Sequence, residues 1–163
     1  MGDLCWGIDL GGTKIEGVVL PSADSTEPLC RLRLPTERDR GYDHVRRNIV
    51  ALVDRLAQEA GTRPQAIGCG TPGTLDPATL TLKNSNTTCL IGHPLQRDLT
   101  DDLGCRVELA NDANCFALAE ARLGAGRGAP TVFGIILGTG VGGGVIIDGR
   151  VLPGGQGIGG EWG

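Results

Sequence analysis

The run Ile8-Asp9-Leu10-Gly11-Gly12-Thr13-Lys14 sets a carboxylate, adjacent glycines, a hydroxyl and a cation in a turn between two apolar segments. Before it, Leu4, Cys5, Trp6 and Ile8 have the composition of a strand; after it, Ile15, Val18, Val19 and Leu20 have the same. Glycine at such a turn supplies φ freedom and admits close backbone approach that a bulky side chain would block. The turn therefore suits the phosphates of a nucleotide, although its spacing is not the GxxxxGK[ST] of a P-loop. An ordinary hairpin carrying one surface lysine has the same residues.

A second glycine-rich run has the same form. Thr131 to Leu137 reads as a buried strand, followed by Gly138-Thr139-Gly140-Val141-Gly142-Gly143-Gly144, then Val145-Ile146-Ile147 and a turn at Asp148-Gly149. It contains a formal GxGxxG, but a dinucleotide fingerprint needs a helix after its glycines, and here β-branched residues return. The run is a hairpin. Two such hairpins, each with a hydroxyl or cation at its tip, fit two jaws closing on one phosphate chain through backbone N–H groups.

Between them the pattern is α/β. Strands are expected at Leu4 to Leu10, Gly17 to Leu20 and Leu29 to Leu34, as an antiparallel meander. Tyr42, Val45, Ile49, Leu52, Val53, Leu56 and Ala60 recur at helical spacing, and Gly61 stops that helix. A short strand at Ala66 to Gly70 leads into Thr71-Pro72-Gly73, and Leu75 to Asn86 reads as a loop or hairpin turning at Asp76-Pro77. A helix at Leu95 to Leu103, a strand at Val107 to Ala110 and an Ala-rich helix at Ala113 to Leu123 follow. The glycine-rich stretch from Gly124 to Gly128 marks a joint, so residues 1–123 are expected to form one lobe and 124–163 the hinge and beginning of a second.

Composition narrows the function classes. The 163 residues carry a net charge of −4, and no basic run is present to attract nucleic acid or an acidic membrane surface. Two Trp, one Tyr and two Phe are too few for base-stacking platforms. The cysteines at 5, 30, 69, 89, 105 and 115 form no CxxC pair and read as reduced thiols; Cys105 and Cys115, with no histidine at ligand spacing, are expected to be buried small hydrophobes. No signal peptide or apolar run of about 18 residues is present, so the expected location is cytoplasmic.

Four landmarks give the chain a specific resemblance: the Asp9 to Lys14 turn, Gly70-Thr71-Pro72-Gly73, Asn111-Asp112-Ala113-Asn114, and Leu137-Gly138-Thr139-Gly140 leading to Gly160-Glu161-Trp162-Gly163. In that order they resemble the amino-terminal half of a sugar kinase of the ROK family, within the actin-like ATPase superfamily. The implied fold is an actin-like ATPase, or ribonuclease-H-like, domain followed by the start of a second lobe. Repressor members carry an amino-terminal helix-turn-helix; this chain starts on its first strand and so resembles the kinase branch. Family members run to roughly twice this length, and the family's structural zinc site is expected only beyond Gly163.

The resemblance also implies roles. Asp112 is the general base that takes the proton from the attacking sugar hydroxyl. Asp9 holds Mg²⁺ through water, Gly11, Gly12, Thr13, Gly138, Thr139 and Gly140 cradle the phosphates of ATP, and Lys14 neutralises charge. Gly73, Asn86, Asn111, Asp112 and Glu161 match positions that touch sugar, while Asn114 supports the helix start. The residues themselves leave other readings open: Asn111 or Asp112 is an ordinary helix N-cap, and Lys83 to Thr87 is a plain polar surface loop. Fructose is the leading substrate, with N-acetylglucosamine or glucose as alternatives, and the full-length protein is expected to be a homodimer. A noncatalytic sugar-sensing module is the reading from a different class.

Overall fold

A computed structural model of the chain describes residues 4–137, 141–155, 157 and 159–161. The first turn does connect two strands. β1 (Cys5–Leu10) pairs antiparallel with β2 (Lys14–Leu20), Asp9 opposite Glu16 and Leu10 opposite Ile15. β2 pairs antiparallel with β3 (Cys30–Pro35), completing the expected meander. β2 begins earlier than its apolar residues indicate, because pairing with β1 runs unbroken down to the turn. Alternation along β1 sends Trp6, Ile8 and Leu10 to one face, where they are buried.

That face is covered by α1 (Tyr42–Ala60), whose Tyr42, Val45, Ile49, Leu52, Val53 and Leu56 form its buried stripe. Burying each such side chain stabilises by about 1.5–3 kcal/mol. A Cβ on Gly17 of β2 would lie 2.6 Å from Leu56 Cδ1, so this glycine sets how closely helix and sheet approach. Gly61 ends α1 with φ 70°, the left-handed cap that its position after the last apolar residue predicts.

β4 (Ala66–Thr71) pairs parallel with β1 on the side away from β2, and β7 (Arg106–Asn111) pairs parallel with β4. The five-stranded order is β3-β2-β1-β4-β7, the ribonuclease-H-like half-domain that the resemblance implies. β4 and β7 are joined through the small ribbon of β5 (Thr74–Leu75) and β6 (Leu82–Lys83) and then α2 (Leu95–Leu103), which Gly104 closes at φ 63°. The ribbon turns where expected: Asp76 Oδ1 accepts from the Ala78 and Thr79 N–H groups at 2.9 and 3.2 Å, an Asx turn.

α3 (Asp112–Arg122) leaves the end of β7 directly. A separate sheet follows in the order β10-β9-β8, built from β8 (Thr131–Leu137), β9 (Val141–Ile147) and β10 (Arg150–Val151). The proposed boundary after residue 123 falls between the two sheets, yet α3 packs firmly on the second. A Cβ on Gly134 would lie 2.8 Å from Ala117 Cβ, and one on Gly144 2.8 Å from the Ala113 carbonyl and 2.9 Å from Ala117 Cβ. No helix among the described residues is long and apolar enough to cross a membrane.

Candidate functional site

Because β1, β4 and β7 are mutually parallel, their carboxyl ends emerge on one edge of the sheet. Three landmarks follow those ends: the Gly11 to Lys14 turn after Leu10, Pro72-Gly73 after Thr71, and Asp112 after Asn111. Open α/β sheets bind ligands at such an edge.

At β7 the structure separates two roles that the sequence leaves merged. Asn111 is the N-cap of α3: its Oδ1 accepts from the Asn114 N–H at 3.1 Å, with φ −63° and ψ 140°. Its Nδ2 donates to the Gly73 carbonyl at 3.2 Å and to Asp112 Oδ1 at 3.2 Å, tying the cap to the neighbouring strand end. Asp112 is the first helical residue and accepts from the Ala113 N–H at 2.9 Å. Its carboxylate therefore sits where the helix dipole favours negative charge. The donor to the Asn111 cap is the backbone N–H of Asn114, while the Asn114 side chain is buried against Gly144 and makes no hydrogen bond at the helix start among the described residues.

Other carboxylates feel Asp112. Loss of solvent raises the Asp9 pKa above its ordinary 3.8, with Asp112 and then Glu16 raising it further, while Lys14 pulls it down. Burial and then Asp112 raise Glu161, and a hydrogen bond from Asn111 opposes them. The Glu161 carboxylate oxygens lie 3.7 and 3.8 Å from where a Cβ on Gly142 would stand, so β9 and the tail bring it beside α3. Glu16 is held below the ordinary carboxylate range despite partial burial, through Arg33 and Arg31 on β3.

The phosphate-type turn is tight for a different reason than φ freedom. Neither Gly11 nor Gly12 adopts the left-handed region, contrary to the expectation from glycine at a turn. A Cβ on Gly11 would instead lie 2.9 Å from the Lys14 carbonyl, which the Gly11 N–H meets at 3.0 Å. Thr36, fully buried after β3, braces the turn: its Oγ1 donates to the Gly11 carbonyl at 2.6 Å, and its N–H to the Thr13 carbonyl at 2.9 Å. Thr13 and Lys14 remain exposed at the tip.

Gly73 needs glycine twice over, with φ 92° and a Cβ position that overlaps the Lys83 carbonyl. The 83–87 loop is more than a plain surface stretch. Ser85 and Thr87 are buried and exchange hydrogen bonds at 3.1 and 3.3 Å, so Asn86 is held outward between two anchors. The structure thus brings Asp9, Asn111, Asp112, Gly73 and Glu161 together along one edge, and Arg38, which stands beside Gly12, donates from Nη1 to the Asn86 carbonyl at 3.4 Å. Gly138, Thr139 and Gly140 lie outside the described residues.

Two further expectations change. Gly142 and Gly144, read as part of a phosphate jaw, face α3, where their missing side chains make room for Ala113 and Ala117. Cys115 is exposed rather than buried, and Cys105 is half-buried. Its sulfur is nevertheless turned inward, 3.6 Å from where a Cβ on Gly70 would stand, and this local loss of solvent, with Asp112 and Asp9, raises the Cys115 pKa. Thr36, Arg38 and the buried Thr87 are not visible as site residues in the sequence, because each meets the site through a tertiary neighbour that spacing does not reveal.

The donor set fits a magnesium ion. Hard carboxylate oxygens repel one another there, and among the described residues no cluster of three or more His, Cys, Asp or Glu side chains could hold a metal by itself. Hard oxygen donors of this kind suit a magnesium ion, which keeps several waters and is bound through one or two carboxylates together with ligand phosphates.

A family model described as ROK family matches residues 5–163. An N-acetyl-D-glucosamine kinase from Pectobacterium atrosepticum is 39% identical over 158 residues, covering 97% of this chain and 51% of the relative. Among solved structures, a ROK hexokinase from Thermus thermophilus superposes with a TM-score of 0.82 at 39% identity, over 97% of this chain and 51% of that one. A ROK family glucokinase from Streptomyces griseus, in complex with glucose and AMPPNP, gives 0.82 at 32% identity, over 98% and 49%. The chain spans about half the length of the curated relatives it matches, 51% of the first. A match over nearly the whole chain, with the strand order and site edge described above, means that this chain belongs to the ROK family.

Proposed function

We propose that the protein acts as an ATP-dependent sugar kinase with N-acetylglucosamine as its substrate. The observation that carries this reading is the free division of labour at β7. Asn111 does the capping and positions Gly73, so Asp112 is available as a base at the edge where a sugar and a phosphate chain can meet. The reading of fructose as leading substrate gives way to N-acetylglucosamine, because curated relatives at 39% and 40% identity are named N-acetyl-D-glucosamine kinases. An ATP-dependent reaction on a free sugar fits the cytoplasm.

In this reading Gly73 lets its backbone approach the sugar ring, and Asn86, Asn111 and Glu161 hydrogen-bond its hydroxyls. Asp112 accepts the proton of the attacking hydroxyl as that oxygen approaches the terminal phosphate. Phosphoryl transfer asks for positioning and charge neutralisation more than covalent work. Backbone N–H groups at Gly12 and Thr13, and at Gly138 to Gly140, serve the phosphates, Gly11 closes the turn behind them with its N–H on the Lys14 carbonyl, and Lys14 offsets their charge. Asp9 would hold Mg²⁺ through water, and the ion would draw charge from the phosphate oxygens.

A coupled ADP-release assay over a panel of hexoses and N-acetylhexosamines tests this. N-acetylglucosamine should give the highest kcat/KM. Fructose as the best substrate would overturn the assignment of sugar, and sugar binding without ADP release on any of them would favour a noncatalytic sensor.

A further inference from the structure

We propose that Arg38 is a positioning residue that couples the sugar loop to the phosphate turn, so that a sugar held at Asn86 tightens nucleotide binding at Gly12. The coupling rests on the functional reading above, whereas the tether itself rests on geometry alone.

Glu37 turns the chain after β3 through φ 51°, a left-handed conformation that a non-glycine residue adopts only when its surroundings hold it there. Here they do. Thr36 is anchored beneath the Gly11 turn, Glu37 Oε2 meets His44 Nε2 of α1 at 2.6 Å, and the Arg40 N–H closes on the Glu37 carbonyl at 3.0 Å. This corner presents Arg38 between the turn and the loop. Its Nη1 donates to the Asn86 carbonyl at 3.4 Å and stands 3.2 Å from where a Cβ on Gly12 would lie.

Thr87 supplies an independent observation on the other side of Gly12. It is fully buried, its Oγ1 has no partner among the described residues, and that oxygen is 3.6 Å from the same Cβ position. A buried hydroxyl left unpaired is unfavourable, and an approach of loop and turn that paired it would be favoured. Gly12 is therefore flanked by a guanidinium that grips the loop and a hydroxyl belonging to it. A guanidinium carries five donors in a planar fork, so Arg38 can keep the Asn86 carbonyl while turning other N–H groups toward the turn. Arg38 acts through Asn86 and Gly12; no contact of its own with sugar is invoked.

Hydrogen exchange on the purified protein without ligand tests the tether. Arg38→Ala should speed exchange at both residues 11–13 and residues 85–88, while α1 stays protected. Unchanged exchange at either segment would overturn the tether, and loss of protection in α1 as well would mean general unfolding. Arg38→Lys, which keeps charge and one point of donation but loses the fork, should restore protection only in part.

The coupling is read with N-acetylglucosamine and the magnesium complex of AMPPNP. Saturating sugar should tighten AMPPNP binding in the wild-type protein by about fivefold or more, the lower range of allosteric coupling. In Arg38→Ala that factor should fall to about one while sugar still binds. Equal factors in both proteins would overturn the coupling. A wild-type protein that binds no sugar overturns the functional reading and the coupling with it, and the tether is then decided by the ligand-free exchange.

Discussion

The two glycine-rich hairpins look alike in sequence and are built for different neighbours. In the first, Gly11 and Gly12 sit at the tip between strands, close to the Lys14 carbonyl, to Arg38 and to Thr87. In the second, Gly134, Gly142 and Gly144 sit within the paired strands, and their bare backbone receives Ala113, Asn114 and Ala117 of α3. Tip glycines open a turn; glycines within strands, Gly17 of β2 among them, let a helix lie close on a sheet. Glycine spacing alone therefore does not identify a phosphate site, and the helix that the second hairpin holds is the one that carries Asp112.

The largest expected effect tests what that helix carries. In the active form of the protein, Asp112→Asn should lower kcat by about 10²- to 10⁴-fold, the usual contribution of a positioned base. Its melting temperature should move little, because Asn111 rather than Asp112 caps α3. Steady-state kinetics beside thermal melting separates the two. A large fall in melting temperature with kcat unchanged would make Asp112 a structural residue.

Substituting valine in each hairpin sharpens the contrast. Gly144→Val drives a branched side chain into the Ala113 carbonyl, Ala117 Cβ and Asn114 Oδ1, none of which can withdraw without moving α3. Overpacking of that kind costs about 1–3 kcal/mol, and each kcal/mol lowers the melting temperature of a chain this size by about 2–4 °C. Gly12→Val meets chiefly the Arg38 guanidinium at 3.2 Å, the far end of a flexible side chain that can swing away. It should leave the melting temperature nearly unchanged and raise the KM for ATP more than that for sugar. Equal thermal losses in the two variants would erase the distinction.

Much of this was legible in the sequence, and the misses have physical causes. The stripe Tyr42, Val45, Ile49, Leu52, Val53 and Leu56 and its Gly61 stop give α1 with the observed bounds, because an amphipathic helix advertises its period locally. β9 was read from Val145, yet it starts at Val141, since pairing with β8 carries the intervening glycines into the sheet despite their poor strand propensity. The site edge was legible as separate motifs, and only the parallel pairing of β1, β4 and β7 brings them to one edge. Thr36 and Arg38 were illegible as site residues because what they do is set by Gly11, Thr13, Gly12 and Asn86, none of them near in sequence.

The smallest expected effect concerns the charge at the mouth of the first hairpin. Asp9 has its pKa raised above the ordinary 3.8, first by loss of solvent and then by Asp112 and Glu16. A raised folded-state value means that the folded chain holds its proton to higher pH than the unfolded chain does. Stability from this group is full below 3.8 and is lost as pH rises through the folded value, so at neutral pH its charge is a net burden. Asp9→Asn cannot ionise and should melt higher than wild type at pH 7, with no difference at about pH 3. Exposed charge interactions are worth about 0.2–1 kcal/mol, so the gain should be about 1–3 °C. Mg²⁺ should give wild type a similar gain at pH 7 and give Asp9→Asn none, because a cation relieves the same repulsion. The substitution should also weaken binding of the magnesium complex of ATP, the opposite sign from its effect on melting. Were Asp9→Asn to melt lower than wild type at pH 7, Lys14 would outweigh Asp112 and Glu16, and the first hairpin would be a stabilised surface turn like any other.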